Sequence, residues 1–205
     1  MPDTVTLAID TSSAIAVAVV GADGAVLASR SAFAPRGHSE LLASLVHDAL
    51  ADAGGPRPAR VVVGTGPAPF TGLRVGLITA RTLAHAWRVP VDGVCSLDAM
   101  GRAHQGEVTV VADARRKEVY WAAYRDGTRL DGPHVSTPSD VPAAGLVVGR
   151  GALLYPDVFP TAVAADPNPA LLVAVADAAR VAGATDLPTE PLYLRRPDVH
   201  GVPGA

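Results

Sequence analysis

The stretch that decides the fold is residues 5–29, VTLAIDTSSAIAVAVVGADGAVLAS, and residues 108–132, VTVVADARRKEVYWAAYRDGTRLDG, repeat its plan. Each copy reads as a strand ending in an aspartate, a second strand, an Asp-Gly turn and a third strand. The aspartate and both turn residues match in one register, since 113 − 10, 126 − 23 and 127 − 24 all give 103. Three matches at one offset indicate an internal duplication.

Helix and strand patterns follow each copy. After the first copy, residues 38–53 have the apolar spacing of a helix and residues 60–64 read as a buried strand. After the second copy the connection is short and proline-rich, and it leads to a strand at 145–149 and a late helix at 169–181. The sequence therefore predicts an α/β chain with a duplicated actin-like fold (the ASKHA, RNase H-like class). We expect two lobes, residues 1–104 and 105–205, the second abbreviated.

Composition favours a folded cytoplasmic chain. Apolar residues make up 49% and charged residues 18% of the sequence, no apolar run is long enough for a bilayer, and the N-terminus has no signal-peptide pattern. Cys95 is the one cysteine, which excludes an intrachain disulfide and a cysteine-based zinc site. The net charge is −3, and the one basic triplet, residues 115–117, is expected to be a solvated turn. Another molecule would have to hold most of any bound RNA.

The aspartate turns allow two interpretations. In actin-like proteins such turns contact phosphate and metal, because a carboxylate beside a tight turn can orient a cation and its phosphates. Here Asp10 is followed by Thr11 and Ser12 without a glycine that would admit phosphate to the backbone. Asp10 and Asp113 therefore either end their strands or contact a nucleotide, and the sequence leaves both readings open.

Residues 64–76, GTGPAPFTGLRVG, connect a buried strand to a helix predicted to run from about Thr71 to Trp87. The spacing fits neither dominant phosphate-binding motif, and two prolines remove N–H donors. Small residues recur every fourth position of the helix, at Gly72, Gly76, Ala80 and Ala84. Such a stripe predicts close approach of another helix, which belongs either to the same chain or to a partner.

Five pieces together give the chain a resemblance to a known family. They are LAIDTS (7–12), HSELL (38–42), the loop and helix start at 64–76, DARRKEVYW (113–121) and EPLYLR (190–195). In order and spacing the chain resembles the TsaB family, also called YeaZ. Members of that family are the dimerisation subunit of the bacterial enzyme complex that makes N6-threonylcarbamoyladenosine (t6A) at tRNA position 37.

The resemblance implies a noncatalytic subunit that pairs with the catalytic subunit TsaD or with a second copy of itself, and that is joined by the ATPase TsaE. It implies no required cofactor, with at most weak or partner-dependent ATP or ADP binding at Asp10, Thr11, Ser12 and Asp113. Contact with tRNA would be indirect, through the complex. The pairing surface would lie on the helices near 39–50 and 72–87. The residues expected there are Leu42, Leu45, Val46, Gly72, Leu73, Gly76, Leu77, Ala80 and Ala84.

Two departures bear on chemistry. Ala68 and Pro69 replace the inner Gly-Ser of the family loop, which weakens a nucleotide contact there. Ser96 and Met100 stand where the resemblance places the two metal-binding histidines of the catalytic paralogue, so we expect no metal and no catalytic residue. The alternative is an actin-like ATP-binding enzyme or metallopeptidase-like hydrolase acting on its own. His38, Ser39 and Glu40 would be its candidates, but adjacent helical residues diverge, and Ser39 reads as an N-cap.

Overall fold

The first lobe is built on a five-stranded sheet. The structure, a computed structural model, describes residues 4–33 and 38–195. In this sheet β1 pairs antiparallel with β2 and parallel with β4, and the order is β3-β2-β1-β4-β5. The strands are β1 (Val5–Asp10), β2 (Ile15–Gly21), β3 (Val26–Ala32), β4 (Arg60–Gly64) and β5 (Val91–Val94).

The second lobe repeats this topology. Its order, β8-β7-β6-β9, matches β3-β2-β1-β4, again with an antiparallel hairpin beside a parallel strand. Between β8 and β9 the described chain has one short 3₁₀ turn, Pro138–Asp140, where the first lobe has a helix. The predicted duplicated actin-like fold with an abbreviated second copy is therefore confirmed. The strands are β6 (Glu107–Asp113), β7 (Val119–Arg125), β8 (Thr128–Ser136) and β9 (Leu146–Val148).

Helices cover both faces of the first sheet. Successive residues of a strand point to opposite faces, so neighbouring residues of β1 contact different helices. Leu7 and Ile9 of β1 pack in the core under α1 (His38–Asp52) and α2 (Phe70–Trp87). Ala8, between them, faces α4 (Pro169–Val181) on the other side. Among the described residues, none of these helices combines the length and apolar character needed to cross a bilayer.

The late helix, predicted to belong to the second lobe, packs on the first sheet instead. Helix α4 packs against the first sheet through Leu172, Val173 and Ala176. The interior of that sheet is apolar on both faces, so a helix from the C-terminal half must cover the face that α1 and α2 leave open. The short helix α3 (Ser96–Arg102) lies between the lobes and contacts both α4 and the second sheet.

Candidate functional site

The two aspartate turns have the same local structure. Asp10 Oδ1 accepts hydrogen bonds from the Ser12 backbone N–H at 2.8 Å and the Ser12 hydroxyl at 2.6 Å. In the second copy Asp113 Oδ1 accepts from the Arg115 backbone N–H at 2.7 Å. Each aspartate therefore closes its own turn at the end of the first strand of its hairpin.

Asp10 is turned into the protein. Asp10 is only 1% exposed, and its Oδ2 accepts a hydrogen bond from the Ser96 hydroxyl at 2.6 Å. Gly64 makes room for this carboxylate, because a Cβ at that position would lie 1.9 Å from Oδ2. Burial raises the pKa of Asp10, while the hydrogen bonds from Ser12 and Ser96 act in the opposite direction. The carboxylate serves as an internal tie.

A cleft of about 440 Å³ lies between the two turns. Of the four residues predicted to contact a nucleotide, Thr11, Ser12 and Asp113 line it, and Asp10 does not. Arg115 and Arg150 also line the cleft. Both are engaged: Arg115 pairs with Asp113 at 3.2 Å, and Arg150 Nε donates to Asp166 Oδ1 at 2.8 Å.

The loop before α2 forms one wall of the cleft and is fixed from behind by Ser96. The Ser96 hydroxyl accepts from the Gly66 N–H at 3.2 Å, and the Ser96 N–H donates to the Gly66 carbonyl at 2.8 Å. Helix α2 begins at Phe70, one residue before the predicted start, and its N-cap residue, Pro69, has no capping side chain. Pro69, Phe70 and Thr71 all line the cleft.

Helix α3 carries Ser96 and Met100, the two residues at the positions of the metal-binding histidines of the catalytic paralogue. Ser96 is completely buried, and Met100 is 4% exposed where it lines the cleft. Within residues 4–33 and 38–195, no group of three or more His, Cys, Asp or Glu side chains could hold a metal ion. Burial raises the pKa of the Cys95 thiol to about 12, so this thiol stays protonated at neutral pH.

The predicted pairing residues lie mainly inside the chain, which corrects the sequence prediction. Their apolar side chains pack on the sheet, and Gly76 leaves space for Thr11: a Cβ on Gly76 would lie 2.3 Å from Thr11 Oγ1. Gly76 therefore accommodates Thr11 of the first aspartate turn, whereas Ala80 and Ala84 are buried in the core cluster that also contains α1. Leu45 and Gly72 are partly exposed, and the buried members are Leu42, Val46, Leu73, Gly76, Leu77, Ala80 and Ala84.

The outer face of α2 is formed by other residues. Ile78 is 63% exposed, with Arg74, Thr82 and His85 exposed around it, and Glu40 is exposed on α1. The side chains of His38 and Ser39, predicted to start α1, lie outside the described part of the chain. Helix α2 is apolar on more than one face. The spacing of its Leu and Ala residues therefore does not show which of them are buried and which are exposed.

A segment without regular secondary structure joins the lobes. We call residues 187–195 the strap. The Leu192 N–H donates to the Thr65 carbonyl at 2.8 Å, and Arg74 Nε donates to the Tyr193 hydroxyl at 2.7 Å. Beyond these first-lobe contacts, Arg195 donates to the Ala114 carbonyl at 3.0 Å in the second lobe. The strap has no periodic pattern that would predict a helix or a strand. In the sequence it was noticeable only through residues 190–195, one of the five pieces of the family resemblance.

This arrangement defines a two-lobed actin-like protein that keeps the interlobe cleft but has its first aspartate bound internally. The family model described as "TsaD: tRNA N6-adenosine threonylcarbamoyltransferase" matches residues 31–141, more than half of the chain. The chain belongs to the TsaB (YeaZ) family, as its resemblance to that family predicted.

Individual relatives agree with this assignment. YeaZ from Pseudomonas aeruginosa superimposes with a TM-score of 0.79 at 28% identity, over 93% of this chain and 100% of that one. An uncharacterised Mycobacterium leprae protein is 45% identical over 95% of this chain, which spans 55% of that relative's length. The Bacillus subtilis "tRNA threonylcarbamoyladenosine biosynthesis protein TsaB" is 34% identical over 58% of this chain and 54% of its own length.

Proposed function

We propose that this chain is a noncatalytic cytoplasmic subunit of the complex that transfers a threonylcarbamoyl group to N6 of adenosine 37 in tRNA. Membership of the TsaB family and the names of its t6A relatives support the pathway. The chain would pair with a TsaD-like catalytic subunit, and a TsaE-like ATPase would join the pair. A homodimer would compete for the same surface.

The observation that carries the noncatalytic assignment is the state of Asp10. Asp10 accepts two hydrogen bonds from Ser12 and one from Ser96, and it does not line the cleft. A catalytic or metal-binding carboxylate must reach the reacting group. Moving Asp10 into the cleft would break three hydrogen bonds and leave the Ser96 hydroxyl buried without this partner. We therefore expect no required cofactor, with at most weak or partner-dependent ATP or ADP binding in the cleft.

The pairing surface follows from what α1 and α2 leave exposed. Both helices lie on one face of the first sheet and contact each other, so their outer sides form a continuous helical surface. Ile78 lies on this surface as a large apolar residue exposed among polar ones. A buried apolar anchor with a polar surround is the usual composition of a binding hot spot.

The experiment is co-purification of this chain with the TsaD-like protein of the same cell, followed by a t6A assay on unmodified tRNA with and without the chain. We expect activity that depends on this chain and none from the chain alone. Activity from the chain alone would instead favour the independent actin-like enzyme, either ATP-binding or hydrolase-like.

A matched pair of variants tests the surface. Ile78→Glu should abolish pairing, whereas Val181→Glu, at a 90% exposed apolar position on α4, should pair normally. Both add one charge to an exposed helix residue, on opposite faces of the same sheet. Equal behaviour of the two variants would contradict the assigned surface.

A further inference from the structure

The strap runs along the outer side of α2. Near the start of the helix, Arg74 Nε donates to the Tyr193 hydroxyl at 2.7 Å. Farther along the helix, Arg81 donates from Nε to Thr189 Oγ1 at 2.7 Å and from its terminal nitrogen to the Thr189 carbonyl at 2.6 Å. Residue numbers rise along the helix while they fall along the strap, so the two segments lie antiparallel. The strap therefore follows α2 for about two turns.

Ile78 lies between the two arginines that reach the strap. Positions 74, 78 and 81 are separated by four and three residues, and this spacing places their side chains on one face of a helix. Ile78 is 63% exposed on that face. A partner that covers Ile78 therefore also meets Arg74, Arg81 and the strap beside them.

Two strap residues next to this face are exposed. The Tyr193 ring packs on Phe70 with 4.5 Å between ring centroids, and Tyr193 is still 38% exposed. The Glu190 carboxylate lies 3.6 Å from Arg81, and its side chain is 75% exposed. Tyrosine is enriched among the residues that dominate binding energy, because a fixed aromatic ring gives a large contact area and its hydroxyl keeps a polar partner. The strap therefore places an aromatic contact beside the exposed Ile78.

The strap has main-chain anchors of its own. At its start the Gly93 N–H of β5 donates to the Leu187 carbonyl at 2.8 Å, and farther along the Leu192 N–H donates to the Thr65 carbonyl at 2.8 Å. The two arginine contacts are exposed, and polar contacts between exposed side chains contribute little to stability. Their effect is to hold two long side chains in one conformation. Ordering such side chains is part of the cost of binding, and the strap has ordered them before a partner arrives.

We propose that the strap and α2 together form the docking surface for the TsaD-like catalytic subunit. Ile78 and Tyr193 are its apolar contacts, and Arg74 and Arg81 are fixed around them by the strap. This inference rests on the proposed function, which supplies the partner. It extends the pairing surface from α1 and α2 to a segment near the C-terminus that has no regular secondary structure.

The occupant of this surface is a TsaD-like subunit and not a second copy of the chain. The TsaD family model matches residues 31–141, which include α1 and α2, so we expect helices of the same kind in a TsaD-like protein. Arg74 is held by a neutral hydroxyl, and α2 contains no acidic residue. In an isologous pair centred on Ile78, α2 would face its own copy and bring two Arg74 charges into one interface. A different partner can place a carboxylate opposite Arg74, which avoids this like-charge repulsion.

The test measures the affinity and the dissociation rate of the complex between the full-length chain and the TsaD-like subunit by surface plasmon resonance. The strap variant, Tyr193→Phe with Thr189→Val, removes the side-chain oxygen that each arginine uses and keeps the aromatic ring and the main-chain anchors. Its control, Tyr155→Phe with Thr137→Val, makes the same two changes in the second lobe. There Thr137 Oγ1 donates to Asp140 Oδ2 at 2.7 Å, so the control also loses a threonine hydrogen bond.

We expect the strap variant to bind the partner at least about fivefold more weakly, mainly through faster dissociation, because both arginines must then be ordered on binding. Its stability in urea should match that of the wild type, since the lost contacts are exposed. The control should pair like the wild type. In an Arg74→Met background, Tyr193→Phe should change the affinity by less than about twofold, because the hydroxyl then has no arginine to hold.

Hydroxyl-radical footprinting of the wild-type chain tests the contact of Tyr193 directly. We expect oxidation of the Tyr193 ring to fall when the TsaD-like subunit is bound, and oxidation of Tyr155 in the second lobe to stay unchanged. With Ile78→Glu, which should not pair, Tyr193 should be oxidised as readily as in the chain alone. Protection of Tyr193 that requires Ile78 would show that one partner covers both residues.

Two results would overturn this inference and leave the proposed function standing. They are equal oxidation of Tyr193 in the free chain and in a complex that depends on Ile78, and a strap variant that pairs as tightly as its control. If the chain pairs through the strap but tRNA modification does not depend on it, the proposed function fails and the surface stands. A chain that does not pair with the TsaD-like subunit would overturn both. Self-association weakened by the strap variant, measured by sedimentation, would then assign the surface to a second copy.

Discussion

At the scale of single residues, Gly76 shows how a helix position can be constrained by a turn. An alanine in a helix interior is ordinarily favoured over glycine by about 1 kcal/mol. Here its Cβ would lie 2.3 Å from Thr11 Oγ1 and 3.1 Å from Thr11 Cγ2. We therefore expect Gly76→Ala to lower the free energy of unfolding, measured in urea, by about 1–3 kcal/mol, the usual cost of overpacking.

Thr11→Ala supplies the control for this prediction. It removes the two Thr11 atoms nearest to the added Cβ and keeps the third, Thr11 Cβ, at 3.2 Å. It also loses the hydrogen bond from Thr11 Oγ1 to the Gly72 carbonyl at 2.9 Å. The double variant should be more stable than the two single effects predict, with a coupling energy of about 1 kcal/mol or more. Simple additivity would mean that Thr11 is not the reason for a glycine at this position.

Asp10 should give the protein a stability term that decreases as pH rises. Burial raises its pKa in the folded state above the ordinary value of 3.8, so the folded state holds the proton more tightly than the unfolded chain. Its stabilising contribution is complete below the unfolded pKa and is lost as pH rises through the folded pKa. The free energy of unfolding of the wild type, minus that of Asp10→Asn, should therefore fall with pH across this window. A difference that rises instead would mean that hydrogen bonds from Ser12 and Ser96 outweigh burial.

At the scale of elements, the strap depends on a glycine in β5. The Gly93 N–H donates to the Leu187 carbonyl at 2.8 Å, and a Cβ on Gly93 would lie 2.1 Å from the Pro188 carbonyl oxygen. We expect Gly93→Ala to displace the strap and to speed amide exchange at Leu192 and Tyr193, measured by hydrogen–deuterium exchange. Removing the whole segment from residue 187 should expose the Gly93 amide to exchange in the same way. Full protection of the strap in Gly93→Ala would show that this contact does not hold it.

The elements also show what the sequence could predict. The periodic spacing of apolar residues and the turn residues predicted the hairpins and helices α1, α2 and α4 with nearly correct bounds, because these signals are local in sequence. They could not show that Gly76 faces Thr11 or that Asp10 reaches Ser96, since those contacts join residues far apart in sequence. The strap was missed as an element because it has neither period nor regular secondary structure. The cleft residues Thr11, Ser12 and Asp113 were found because duplication marked the turns.

At the scale of the whole molecule, the C-terminal half contributes to both lobes. Helix α4 covers the second face of the first sheet, and the strap crosses from β5 and α2 to the turn at Ala114. Between the lobes, the Tyr124 hydroxyl of β7 donates to Asp98 Oδ1 of α3 at 2.8 Å, and Arg129 pairs with the same carboxylate at 3.2 Å. Burial raises the pKa of Asp98. These ties predict that the lobes unfold together.

Separated halves of the chain test this coupling and the proposed division at residue 104. Alone, residues 1–104 would expose the sheet face carrying Ala8, Ala18, Val20 and Val62, which α4 covers in the intact chain. Exposed apolar surface costs about 25 cal/mol per Å², and the net stability that must offset this cost is only about 5–15 kcal/mol for a typical domain. We therefore expect neither half to unfold cooperatively alone in circular dichroism melts, and we expect a mixture of residues 1–104 with 105–205 to recover one transition. A sharp transition for residues 1–104 alone would show that the first lobe is an independent domain and that α4 and the strap are dispensable to its core.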